Sequence, residues 1–308
     1  MSHFIIATRQ SRLALWQAQH VQSLLERLGH EVRVLGMLTQ GDRMLGAAPL
    51  PAGGKNLFVK ELETALVDGR ADLAVHSLKD MPAILPEGLM LACVPARDDP
   101  RDAWISPRFG SINELPAGAT VGTASLRRAV WIRALRPDLR VAPLRGNLDS
   151  RLRKLDDGAF DGIVLSACGL QRLGLQERIR AVFETDILLP SPGQGALGIE
   201  VDAQRKDVLD ALAPLVCHRT WLAVEAERAV SRTLGSGCST PVAAHATIDD
   251  GTLTLEAGWG DPGGRLGVLR VRRTAKLNNL HDARQLGEAT ARALRSDVRR
   301  AGAELGDA

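Results

Sequence analysis

The apolar run HFIIA (3–7) predicts a short buried strand at the start of the chain. After TRQS, Ala14, Ala18, Val21, Leu25 and Leu28 recur at spacings of four and three, which predicts a helix, and Gly29 supplies its stop. EVRVLGML alternates as a second strand, NLFVKELETALVDG places Leu57, Phe58, Leu62, Ala65 and Leu66 on one helical face, and ADLAVHS reads as a third strand. The order β, α, β, α, β predicts an α/β sheet.

The rhythm resumes after ARDDPRDAW (96–104) with strand ATVG, helix SLRRAVWIRALR stopped at Pro137, strand LRVAPLRG, helix LDSRLRKLDDG and strand FDGIVLS. Two such units in tandem, separated by a charged, proline-containing crossover, predict two lobes with a cleft, and LLPSPGQG (188–195) is a second crossover. Beyond Pro214 the pattern changes. A helix over 218–234 leads into the loop GSGCSTP, followed by strands VAAHATI, TLTLEAGW and RLGVLRVRRT on DDG and GDPGG turns, and a last helix from about 281. This predicts a smaller α+β domain with a three-stranded antiparallel sheet.

Bulk properties narrow the class. At 308 residues, 45% hydrophobic and 24% charged, the chain has ample material for two or three cores, and no apolar run approaches the roughly 20 residues of a membrane-spanning helix. MSHFIIATRQS reaches a charge too early for a signal peptide, and four cysteines without a CxxC pair suit a reducing compartment, so a cytoplasmic location is expected. A net charge of +3 is too mild for a nucleic-acid coat, and the five tryptophans are scattered, which argues against a base-stacking platform. No HExxH, CxxC or facial carboxylate pattern suggests a metal.

In open α/β sheets, ligands bind beyond the carboxyl ends of the strands, so the loops there are where chemistry is expected. Arg9 and Ser11 follow the first strand, Ser77, Lys79 and Asp80 the third, and Thr123, Ser125, Arg127 and Arg128 follow ATVG. PLRGNLDSR adds Arg145 and Arg151, and AGGKNLF adds Lys55. Any one arginine near a helix start is ordinarily a solvated residue, and Thr123 or Ser125 alone is ordinarily an N-cap. Together they predict a ligand with several anionic groups. Neither GxxxxGK[ST] nor GxGxxG occurs at a strand-to-helix turn, so polycarboxylate is favoured over phosphate. Asp80 stands against that cationic field, where a carboxylate serves a salt bridge or turn, or else a developing cation or a proton. Cys238 is the other exception: it lies among small residues, whereas Cys93, Cys168 and Cys217 sit in more apolar stretches.

ATRQSRLALWQ, GGKNLFVKELE, ADLAVHSLKDMP, VGTASLRR, LRGNLDSRL, ACGLQRLG, LPSPGQGALGIE and GSGCSTP, in this order and spacing, resemble the hydroxymethylbilane synthase family, also called porphobilinogen deaminases. The likeness runs from Ala7 to about Val242, and the C-terminal strands and helix agree in layout. It implies two periplasmic-binding-protein-like α/β lobes, the first discontinuous (1–97 and 195–215) and the second over 101–190. A domain over 218–308 would carry the cofactor cysteine.

The resemblance further implies that Cys238 holds a dipyrromethane through a thioether. Four porphobilinogen units are then added head to tail with loss of ammonia, and hydroxymethylbilane is hydrolysed off, a transferase reaction of haem biosynthesis. Asp80 would be catalytic, stabilising the cation and moving protons at the pyrrole N–H. Lys79, Thr123, Ser125, Arg127, Arg128 and Gly195 would hold the cofactor, and Arg9, Ser11, Lys55, Ser77, Arg145, Arg151, Arg172 and Gln194 the substrate or growing chain. Each pyrrole brings an acetate and a propionate, which suits this cationic inventory. Partners implied are porphobilinogen and, for hand-over of the product, uroporphyrinogen III synthase; the protein would be a monomer with no nucleic-acid or membrane partner. The chain departs from the family pattern at Ala124, Arg12 and Asn56, where serine, proline and glycine are common. A non-catalytic bilobal protein that binds small anions is the rival reading.

Overall fold

The computed structural model describes residues 1–44, 56–235 and 240–305. In chain order the elements are β1 (His3–Arg9), α1 (Arg12–Arg27), β2 (Glu31–Met37), α2 (Gln40–Met44), α3 (Asn56–Val67), β3 (Leu73–Ser77), β4 (Leu89–Cys93) and β5 (Asp102–Ile105). There follow β6 (Thr120–Gly122), α4 (Leu126–Leu135), β7 (Arg140–Ala142), α5 (Leu148–Asp156), β8 (Gly162–Ser166), α6 (Ala167–Arg172), β9 (Ala181–Val182), β10 (Leu197–Asp202) and α7 (Lys206–Leu212). The last are α8 (His218–Leu234), β11 (Val242–Asp249), β12 (Thr252–Gly260), β13 (Val268–Lys276) and α9 (Leu280–Arg300). Two compact units result, residues 1–98 with 195–221 and residues 99–194 with 222–308.

In the first unit the sheet order is β2-β1-β3-β10-β4. β1 runs parallel to β2 and β3, while β10 enters antiparallel between β3 and β4, with Gly198 opposite His76. Alternation along the strands gives the sheet two buried faces. Phe4, Ile6, Leu73, Val75, Ile199 and Val201 pack with Ala18, Val21 and Leu25 of α1 and Val208 and Leu212 of α7. The opposite face uses smaller residues, Ala7 and Ala74, against Leu62, Ala65 and Leu66 of α3.

The second unit repeats the scheme with order β7-β6-β8-β5-β9, β6 parallel to β7 and β8 and β5 antiparallel to β8 and β9. Gly162 is required here, since a Cβ at that position would come within 2.0 Å of the buried Trp104 ring. The expected strand LRVAPLRG is shorter than its apolar pattern suggests and ends at Ala142, before Pro143, which has no N–H to continue a ladder.

The three-stranded antiparallel sheet β11-β12-β13 packs one face on α8 and α9, where Ala226, Val230, Leu253, Leu255, Leu294 and Val298 are buried together. Gly287 lets α9 approach closely; a Cβ there would lie 2.3 Å from the Ala226 carbonyl oxygen. These elements cluster with the second α/β lobe, because Ala243 of β11 and partly buried Val268 of β13 join the core around Trp104, Val130 and Trp131.

Candidate active site

The residues proposed from sequence fall into two sets, one in each unit. In the first unit they sit where β1 and β3 end. Arg9 closes β1, and Ser11 is the N-cap of α1, its hydroxyl accepting from the Ala14 N–H at 3.4 Å. Gln17, buried on α1, donates through Nε2 to the Ser77 hydroxyl at 2.8 Å and so joins the end of β3 to α1. After Ser77 the chain makes one 3-10 turn, Leu78–Asp80, which places Lys79 and Asp80 half-buried.

Two apolar anchors fix the Asp80 backbone. Leu78 and Met81 are each 1% exposed, and a Cβ on Gly198 of β10 would lie 2.5 Å from Met81 Sδ and 2.8 Å from Leu78 Cδ1. The strand opposite is therefore bare so that the turn can seat on it. Among the described residues the Asp80 carboxylate makes no hydrogen bond or ion pair. Below the turn His76 is buried, its Nε2 2.9 Å from Glu200 Oε2. Burial, with the charge of Glu200 adding to it, pushes the nearby Glu63 carboxyl up.

Gly195 belongs to this unit as well. Its φ is +90°, and a Cβ would stand 2.5 Å from the Asp98 carbonyl oxygen, so only glycine fits where Asp98 N–H meets the Gly195 carbonyl.

In the second unit the set gathers at the first turn of α4. Ser125 is the N-cap, accepting from the Arg128 N–H at 3.4 Å, and Thr123 accepts from the Ser125 N–H at 3.2 Å. Arg127 and Arg128 are buried and share one counter-ion, Asp102 of β5. Arg127 donates from Nη2 to Asp102 Oδ2 at 2.7 Å and from Nη1 to the Leu189 carbonyl at 2.6 Å. Arg128 reaches Asp102 Oδ1 from Nε and Nη2 at 3.0 and 2.6 Å, and the Val164 carbonyl from Nη1. Gln194 completes the ring, donating to Asp102 Oδ1 at 2.9 Å and to the Pro100 carbonyl at 2.6 Å.

Burial works to raise the Asp102 carboxyl, but the two arginine charges and the Arg128 and Gln194 hydrogen bonds outweigh it and hold it at about 2. Two buried guanidiniums thus face one buried carboxylate, and Arg127 Nε is buried without a hydrogen-bond partner. An orphaned donor beside a net positive charge is what an anionic ligand would complete.

Arg151 donates from Nε to the Gly146 carbonyl at 2.8 Å, and Lys154 Nζ to the Arg145 carbonyl at 3.1 Å, so the loop before α5 is tied to that helix while the Arg145 side chain is exposed. Arg172 ends α6 and is buried. Lys55 and Cys238 lie outside the described residues. Among the described residues no group of three or more His, Cys, Asp or Glu side chains could hold a metal ion, and no helix is long and apolar enough to cross a membrane.

Comparison with known proteins decides the family. The profile described as porphobilinogen deaminase, dipyromethane cofactor binding domain, matches residues 4–210, and that of the porphobilinogen deaminase C-terminal domain matches 221–296. The chain belongs to the porphobilinogen deaminase family. Among curated relatives, porphobilinogen deaminase of Albidiferax ferrireducens is 61% identical over 298 residues, covering 97% of this chain and 95% of the relative. The enzyme of the same name from Burkholderia pseudomallei (strain 668) is 54% identical, covering 96% and 90%. Among solved structures, the methionine binding protein MetQ aligns at 14% identity over 70% of this chain and 88% of its own, with a TM-score of 0.45. The porphobilinogen deaminase match makes the chain an enzyme with a dipyrromethane-binding domain.

The sequence pattern does not single out Asp102, Gln17 or Glu200. Glu200 stands between buried Ile199 and Val201, a contrast that marks it, whereas Asp102 opens β5 after half-exposed Arg101 and Gln17 has partly buried Trp16 beside it, so neither carries a local signal.

Proposed function

We propose that the protein is a hydroxymethylbilane synthase, a transferase that condenses four porphobilinogen molecules onto a dipyrromethane primer on Cys238 and releases hydroxymethylbilane by hydrolysis. The observation that carries this reading is Asp80, whose backbone is clamped by Leu78 and Met81 while its carboxylate is unspent among described residues. A protein that only bound anions would have no use for a fixed carboxylate at a cationic site.

When bound, the dipyrromethane supplies a primer to which each new pyrrole is joined. The chain's own residues do the rest. Thr123, Ser125, Arg127, Arg128, Lys79 and Gly195 would hold the cofactor, the arginines through guanidiniums held together by Asp102. Arg9, Ser11, Lys55, Ser77, Arg145, Arg151, Arg172 and Gln194 would take the acetate and propionate arms of the substrate and chain. Asp80 accepts a hydrogen bond from the substrate pyrrole N–H, stabilises the positive charge that grows there as ammonia leaves, and carries protons during coupling.

The division into lobes 1–97 with 195–215 and 101–190, and a domain over 218–308, is part of the same proposal; three separate sheets and the two profile boundaries support it. So are a cytoplasmic location, a monomeric state and hand-over of the product to uroporphyrinogen III synthase. The decisive experiment is intact-protein mass: material purified from cells should exceed its polypeptide by two linked pyrroles, and Cys238→Ser should not. An active preparation at the bare polypeptide mass would end this reading.

A further inference from the structure

Arg9 does not stand by itself at the end of β1. Asp42, on α2, accepts from Arg9 Nε at 3.2 Å and from Nη2, and Arg9 Cζ lies 4.4 Å from the centre of the Phe58 ring. The ring is seated against α2, where a Cβ on Gly41 would come within 2.4 Å of its carbons. Asp42 is itself held: Oδ2 accepts from the Thr39 hydroxyl at 2.7 Å and the Thr39 N–H at 3.3 Å, and the Asp42 N–H donates back to Thr39 Oγ1 at 3.2 Å.

A guanidinium offers two edges to carboxylates, Nε with one Nη and the pair of Nη groups. Asp42 takes the first edge, and among the described residues nothing accepts from Nη1. A carboxylate in this place either competes with an anionic ligand and must be displaced, or orients the edge it leaves open. Thr39 and Phe58 decide between these. A displaceable carboxylate would be held by the arginine alone, whereas Asp42 has two further donors and the guanidinium plane is fixed by the aromatic face. Burial works to raise the Asp42 carboxyl, yet the hydrogen bonds and charge of Arg9 and the bonds of Thr39 prevail and lower it, which keeps Asp42 a carboxylate at neutral pH. An arginine immobilised beforehand loses less rotamer entropy when its ligand arrives.

We propose that Asp42 is a positioning residue that fixes the Arg9 guanidinium, with Phe58 against its face, so that the Nη1 edge is presented to a carboxylate of the substrate or growing chain. The inference rests on the assignment of Arg9 to substrate binding. The test is steady-state kinetics of the holoenzyme with porphobilinogen in a double-mutant cycle of Arg9→Gln and Asp42→Asn. Asp42→Asn should raise KM about tenfold with kcat within about twofold, and should add less than about twofold in the Arg9→Gln background. A lowered KM would make Asp42 a competitor; an unchanged KM, or equal rises in both backgrounds, would also overturn the proposal. If Arg9→Gln itself leaves KM unchanged, the proposal falls together with Arg9's role in binding, an outcome distinct from the others. Thr39→Val, which loosens Asp42 without removing its charge, provides a second measure should Asp42→Asn not fold. It should raise KM about threefold with Arg9 present and not with Gln at that position, and no rise with Arg9 present would overturn the proposal.

Discussion

The turn after β3 and the first turn of α4 both follow a buried strand of an α/β sheet, yet they treat charge in opposite ways. At Leu78–Met81 apolar side chains do the fixing, and the Asp80 carboxylate is left uncommitted among the described residues. At Ser125–Arg128 the charges do the fixing: two buried guanidiniums that would repel each other are drawn onto Asp102 and onto the Leu189 and Val164 carbonyls, with Arg127 Nε left over. A group that must change its interactions during a reaction is best held by its neighbours' packing. A group that must present constant positive charge is best held by an ion pair, which in a buried site persists where a surface pair would be screened.

The sharpest test of the first half of this contrast is Asp80→Asn. Amide and carboxylate have nearly the same shape, and the anchors Leu78 and Met81 remain, so folding and thermal midpoint should be unchanged while turnover falls roughly a thousandfold. Single-turnover consumption of porphobilinogen, followed beside a thermal melt, checks both parts. Turnover within tenfold of normal would remove Asp80 from the chemistry.

The second half predicts the reverse pattern at Asp102. Asp102→Ala leaves two buried like charges without their counter-ion and should cost about 3 to 5 kcal/mol in denaturant unfolding, enough to impair accumulation of the protein. A loss below about 1 kcal/mol would show that the arginines find other partners at little cost.

These predictions rest on contacts of unequal legibility. α1, α3, α4 and α5 are legible as helical stretches in the sequence, and Ser125 as a cap, because each signal lies within one or two turns of the residue it explains; the caps Ser11 and Asn147 are findings of the structure. The pattern gives no strand at β4, β5, β9 or β10. Fully buried strands such as β5 and most of β10 show no alternation, and β5 begins inside DDPRDAW, which reads as a charged crossover. Strand-end loops pointed to Arg9, Asp80 and Arg127, but their surroundings depend on pairs far apart in the chain. Asp42 is 33 residues from Arg9, Ser77 is 60 from Gln17, and Asp102 is 26 from Arg128. Local pattern specifies an element and its capping; which distant carboxylate meets which arginine follows from sheet order, and β5, which carries Asp102, is among the strands without a local signal.

Acid should expose the Asp102 ion pair in a graded way. Its carboxyl lies at about 2 in the folded protein against an ordinary 3.8, so its contribution is fully present above about pH 4 and is lost as pH falls toward 2. The contribution is about 2 kcal/mol. Measured as the stability difference between the natural protein and Asp102→Asn, the gap should narrow as pH is lowered from 5 to about 2.5. A constant gap across that range would mean that ionisation of Asp102 does not hold the arginines.

The smallest expected effect asks whether a cap can also serve a ligand. The Ser125 hydroxyl accepts from the Arg128 N–H, so Ser125→Ala should lower stability by about 1 kcal/mol through the lost cap alone. Ser125→Asp caps as well as serine and should restore that stability, but it sets a second carboxylate at the turn that presents Arg127 and Arg128. If the turn receives the carboxylates of the dipyrromethane, Ser125→Asp should therefore fold normally and yet show a reduced fraction of cofactor-bearing protein by intact mass, while Ser125→Ala keeps a larger one. Stability and loading would then respond to different properties of the same side chain, the first to its acceptor oxygen and the second to its charge. Full loading of Ser125→Asp would leave the hydroxyl as a cap and nothing more.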